Sequence, residues 1–115
     1  MMERLFTQDG TWMERIAPAD PREKAVEKEH HLSAIRVSIS TRTHSETIEG
    51  REPGYSARLF WLSGKSLLDG EAVERPSFGI GDAMISPMGD SWAIRAVNAM
   101  FSPDGSLHHL EVELA

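Results

Sequence analysis

The clearest pattern of apolar and polar positions lies at the end of the chain. From Leu107 to Leu114, His108, Leu110, Val112 and Leu114 share one face and His109, Glu111 and Glu113 the other, the period-two alternation of a strand with one wet side. Pro103-Asp104-Gly105-Ser106 before it is a turn signal. The stretch Ser91–Phe101 is apolar but irregular: Trp92 and Ile94 have one parity, Val97, Ala99 and Phe101 the other. A one-residue slip near Arg95-Ala96 restores the alternation, and a β-bulge makes that slip. A strand buried on both faces is the alternative. Gly89-Asp90 separates this strand from Ala83–Met88, which follows Gly81-Asp82.

Upstream, Leu32–Ser40 reads as a strand, with Ile35, Val37 and Ile39 alternating with Arg36 and Ser38. Ala57–Ser63, with Leu59-Phe60-Trp61-Leu62, is apolar on both faces. One face is expected to meet the core and the other a second layer or a partner subunit, which makes Phe60 and Leu62 candidate interface residues. In residues 1–16, Asp9-Gly10 between short apolar runs predicts strand–turn–strand. A short helix is the alternative, weakened by about 1 kcal/mol at Gly10. Pro18 and Pro21 end that element. Arg22–His31 is highly charged and reads as a solvated helical turn or connector. Gly64–Gly81 is irregular and is expected to wrap the sheet edge.

Thr41–Ser56 has no apolar periodicity, and structureless loops of that length are usually functional or disordered. The expected fold is mostly β: a small antiparallel β-barrel or sandwich with long loops, in a single domain over residues 1–115. Residues 1–31 would form a variable N-terminal segment, with a short helix as one option, and 32–115 the β core.

Composition narrows the function classes. A chain of 115 residues can bury a core as one domain. There is no cysteine, hence no disulfide framework, thiolate nucleophile or cysteine metal site. The net charge of -6 argues against duplex binding, which needs a basic face. No apolar run approaches the roughly 20 residues of a bilayer-spanning helix, and the N-terminus shows no signal region. The expectation is an acidic, soluble protein that is not secreted.

Candidate chemistry is sparse. His30-His31 and His108-His109, with Glu29 and Glu111, suggest a metal site, but adjacent histidines on a strand point to opposite faces and zinc needs three or four converging ligands. Surface and sheet-face histidines are the expectation. Gly79-Ile80-Gly81 lacks the rest of a nucleotide fingerprint, and Gly64-Lys65-Ser66 has Leu59 where a phosphate loop needs glycine. There is no Gly-x-Ser-x-Gly elbow, and Glu111 and Glu113 share an outward face. The expectation is no enzyme, no cofactor and no metal.

The C-terminal unit resembles the small β-rich head–tail joining (connector, stopper or head-completion) proteins of tailed bacteriophages. The residues that carry the resemblance are Gly81-Asp82, Ile85, Gly89, Trp92, Ile94, Val97, Asp104-Gly105 and the alternating strand His108–Leu114. They cover about a third of the chain. Ile35-Val37-Ile39 and Leu59-Trp61 supply earlier strands, while Arg22–His31 and the proline linker have no counterpart.

The resemblance implies a β-barrel or sandwich that forms a ring with copies of itself, usually six, in the neck of the virion after synthesis in the host cytoplasm. Its neighbours would be portal or adaptor proteins on one side and a tail terminator or tail proteins on the other. It would help retain packaged DNA and dock the tail, with no membrane contact. DNA would pass without sequence-specific binding, since an acidic lumen repels phosphates. The loop residues Arg42, His44, Glu46, Glu49, Arg51, Glu52 and Tyr55 become candidates for facing the lumen or a neighbour. The alternatives are another virion ring protein, such as a tail terminator, and a small-molecule-binding β-barrel.

Overall fold

The computed structural model describes residues 5–41 and 55–115. They build eight strands: β1 (Gln8–Ile16), β2 (Val26–Thr41), β3 (Tyr55–Leu62), β4 (Leu67–Leu68), β5 (Glu71–Ala72), β6 (Ala83–Ile85), β7 (Ser91–Phe101) and β8 (Leu107–Leu114). Every pairing is antiparallel, in the order β1-β6-β7-β8-β3-β2-β4-β5, and β1 also pairs with β2. That pairing closes β1, β6, β7, β8, β3 and β2 into a six-stranded barrel, with the β4–β5 hairpin added outside on β2. No α-helix occurs among the described residues.

Two long strands turn the corners of the barrel. β2 pairs with β1 up to Ile35 and with β3 from Arg36 onward. Its bend falls at Ala34, which has a positive φ of 52°. β7 pairs with β6 over Ser91–Ala93 and with β8 from Ile94 onward, and its ladder shifts between Ile94 and Ala96. This is the bulge that the broken parity predicted. It keeps both Ile94 and Val97 turned to the core. A corner strand must bend to serve two sheets, and an extra residue supplies the bend.

The barrel thus has a closing half (β1, the start of β2, β6 and the start of β7) and a four-strand half in the order β7-β8-β3-β2. Side chains fill the space between them. Leu59, Trp61, Leu110, Val112 and Leu114 come from the four-strand half; Trp12, Leu32 and Met84 come from the closing half. Phe78, on the segment before β6, stands edge-on to both Trp12 and Trp61, at 4.8 and 5.8 Å between ring centroids.

The N-terminal expectations require correction. Asp9-Gly10 is no hairpin turn: β1 runs straight through it, with a register irregularity between Gln8 and Gly10. A Cβ at Gly10 would lie 3.1 Å from the Ile85 carbonyl oxygen and 3.2 Å from Ile35 Cδ1, so this glycine admits close strand approach. The segment before Leu32 is not a connector, because residues 26–31 belong to β2 and pair with β1. The barrel therefore begins near residue 8, and Trp12 is one of its most buried side chains. The stretch 64–81 holds the β4–β5 hairpin, turned at Asp69 and Gly70, both with positive φ.

Candidate functional site

Of the loop residues singled out by the sequence, Arg42, His44, Glu46, Glu49, Arg51 and Glu52 lie outside the described residues. Tyr55 opens β3, where its backbone pairs with Thr41. Phe60 and Leu62 have the outward parity expected for them, but their strand is not an edge, because β3 pairs with β2 and β8. Leu62 is only 7% exposed. Phe60 remains half-exposed and lines an open cavity of about 310 Å³ with Leu5, Phe6, Arg36, His109 and Glu111.

The buried polar chemistry lies elsewhere, along the closing half. Asp82 is buried at the head of β6, and its carboxylate accepts three hydrogen bonds. Trp12 Nε1 donates to Oδ2 at 2.9 Å, the Gly79 N–H to Oδ2 at 3.0 Å and the Arg15 N–H to Oδ1 at 3.1 Å. A Cβ at position 79 would come within 2.9 Å of Oδ2, so any larger residue there would push the carboxylate off its donors. Gly81 adds a positive φ of 94°, and its N–H donates to the Ile94 carbonyl. Of Gly79-Ile80-Gly81, the first glycine therefore serves the protein's own carboxylate and the second ties the segment to β7.

His30 stands one pair across from Trp12 and stacks on it at 4.6 Å. Its Nδ1 lies 2.8 Å from Asp69 Oδ2 and its Nε2 2.8 Å from Glu14 Oε1. Ionised carboxylates accept but do not donate, so this pair of contacts favours the protonated ring, in which both nitrogens donate. The Asp69 hydrogen bond, helped by Glu14 and opposed by burial, raises the His30 pKa above its ordinary value. Asp69 is lowered in return, first by His30 and then by the His31 N–H, which donates to Oδ1 at 2.8 Å. A stacked cation also gains from the indole quadrupole.

Compared with family models, curated proteins and solved structures, the chain matches none.

This arrangement limits the chemistry open to the cluster. In its protonated form, with both ring nitrogens donating, His30 offers no lone pair to a substrate or ligand. Glu14 and Asp69 sit on opposite sides of the ring and do not converge, and no group able to hold a metal occurs among the described residues. The expectation of surface histidines fails at His30, which is 7% exposed, and holds for its neighbour His31. The sequence carried a partial signal: on a strand two adjacent histidines take opposite parity, and a buried imidazole needs partners. His108 and His109 are joined by a 2.8 Å contact between their Nδ1 atoms on the far side of the barrel.

Proposed function

We propose that this chain is a structural ring protein of the tailed-phage neck, placed between portal or adaptor and tail, where it retains packaged DNA and docks the tail. The observation that supports this reading is the form of the C-terminal unit. Its resemblance residues fold together as β6–β7–β8: Asp82 is anchored at the head of β6, Trp92 and Ile94 open β7, and the alternating β8 lies in a closed barrel. The buried charges add weight to a structural role, since each is spent on holding strands together. The exposed Phe101 and the groove beside Phe60 offer surface for other chains, and the net charge of -6 suits a channel through which DNA must slide.

The test is the mass of the purified protein in solution, alone and after mixing with a portal or tail-terminator ring. A ring-sized species that includes this chain is the expected result. A monomer that ignores such rings at every concentration overturns the reading, and a co-purified small molecule would move the assignment to a ligand-binding barrel.

A further inference from the structure

The four-strand half has two open edges. Between β3 and β8, the Ser63 N–H donates to the His108 carbonyl, so the backbone groups of the even-numbered residues of β8 face β3. Those of the odd-numbered residues therefore face β7, where Glu113, Glu111 and His109 stand opposite Ala96, Asn98 and Met100. By the same alternation the N–H and C=O groups of Val97, Ala99 and Phe101 point away from β8. The β6 ladder on that side ends at the bonds linking Ile94 to Gly81 and Asp82, and no further strand lies there among the described residues.

The other edge belongs to β2. Alternation carried through β3 turns the backbone groups of Val37 and Ile39 outward. The pairing with β1 stops at Ile35, and the Gln8 side chain accepts the Val37 N–H at 2.6 Å. From Ser38 onward the edge has no strand beside it among the described residues. Each edge also carries an uncovered apolar side chain, Ile39 at 41% and Phe101 at 61% exposure.

The directions of these edges fit each other. Four strands that alternate in direction place β7 and β2 antiparallel, so a second copy added beside β2 through its own β7 continues the antiparallel order. We propose that copies of this chain associate head to tail by pairing the β7 edge of one with the β2 edge of the next, which makes one sheet continuous across the subunit boundary. Such a heterologous contact repeats from copy to copy and closes into a ring when the rotation permits. Main-chain hydrogen bonds supply the attraction, as in other strand-addition contacts. The pairing rests on the ring reading above only for closure; the edges themselves are features of the single chain.

The register that sets Ile39 against Val97 of the neighbour places the exposed Ser38 directly opposite the exposed Asn98. Within one chain these residues are separated by three strand spacings, about 14 Å. The chain has no cysteine, so a Ser38→Cys/Asn98→Cys variant carries only the two thiols introduced. Treated with a bismaleimide of roughly 8 Å reach, matched to cross-strand and diagonal pairs, it is expected to give a ladder of covalent multimers ending at one closed size. Each single variant is expected to stay monomeric on a denaturing gel. Adding Ala99→Pro removes an outward N–H and is expected to abolish the ladder with the near-ultraviolet circular dichroism unchanged.

Dimers from Asn98→Cys alone would show β7 pairing with β7 and overturn the head-to-tail contact. Multimers seen by light scattering without a ladder in the double variant would overturn edge pairing and leave the ring reading standing. A species monomeric by light scattering that gives no ladder, even at millimolar concentration, would overturn both. Should Ala99→Pro unfold, Ala99→Asp at the same edge serves, with loss of the ladder again expected and an undiminished ladder counting against the contact.

Discussion

The two halves of the barrel are held by different physics. In the four-strand half, Trp61, Leu59, Leu110 and Val112 meet in apolar rows, and the charged residues stay on the outer face, where Arg58 and Glu113 make an exposed pair at 3.8 Å. That half draws its stability from buried area, and an exposed ion pair adds little. In the closing half, short strands leave less area to bury. β6 has three residues, and around it the buried Asp82 carboxylate accepts from the Trp12 indole, on which His30 stacks while its ring nitrogens bond Asp69 and Glu14. Where strands are too short to close a barrel by packing alone, polar bonds fix the seam, and they make that seam sensitive to protonation.

The largest effect is expected on the apolar side. Trp61→Ala removes the bulkiest fully buried side chain and leaves the Val73 carbonyl without its indole donor. A loss of about 3–5 kcal/mol is expected, read from urea unfolding. In the seam, Asp82→Ala orphans the Trp12 indole and two backbone N–H groups, for about 3 kcal/mol, whereas Asp82→Asn keeps one acceptor oxygen and should lose less. Equal losses for the two variants would mean that the site senses only the volume of the side chain.

Protonation sharpens the contrast. His30 has a raised pKa, so its contribution is fully present below its ordinary value of 6.5 and fades as the pH climbs through its folded value. Asp69 has a lowered pKa, so its share is present above its ordinary value of 3.8 and fades as the pH falls through its folded value. His30→Gln should therefore be less stable than the parent near pH 6, with the gap narrowing toward pH 9. A gap constant across that range would deny the imidazolium its role.

The smallest effect is expected at the β2 corner. Ala34→Gly relieves about 1–2 kcal/mol of left-handed strain and incurs about 0.5–1 kcal/mol of added chain entropy. A net gain near 0.5 kcal/mol should appear as a small rise in Tm. The bond from Ser66 Oγ to the Ala34 carbonyl, 2.6 Å long, should survive the change.

What the sequence revealed followed the same division. Strands of the four-strand half were legible because apolar area leaves a periodic trace: β8 is marked by its alternation, and the β7 bulge by the parity break at Arg95. Two Asp-Gly pairs show where the trace fails. Asp9-Gly10 has the composition of a hairpin yet lies inside β1, its glycine serving close strand approach. Asp69-Gly70 is the two-residue hairpin turn, hidden because the strands flanking it are two residues long and have no period to display. The charged run before Leu32 hid the start of β2, since Glu27, Lys28 and Glu29 mark a solvated strand no differently from a helix or a loop. The partners of His30 come from residues 16 and 39 positions away, and no local pattern reports such distances.

The bond between Trp12 and Asp82 joins residues 70 positions apart. β1 and β2 can find each other early, as neighbours along the chain, but the barrel cannot close on that side until β6 arrives. Folding is thereby tied to a late, long-range step, which places such topologies on the millisecond-to-second timescale. During synthesis, β1 must wait with one edge open until Asp82 has left the ribosome, so the order of translation sets when the fold can first become whole.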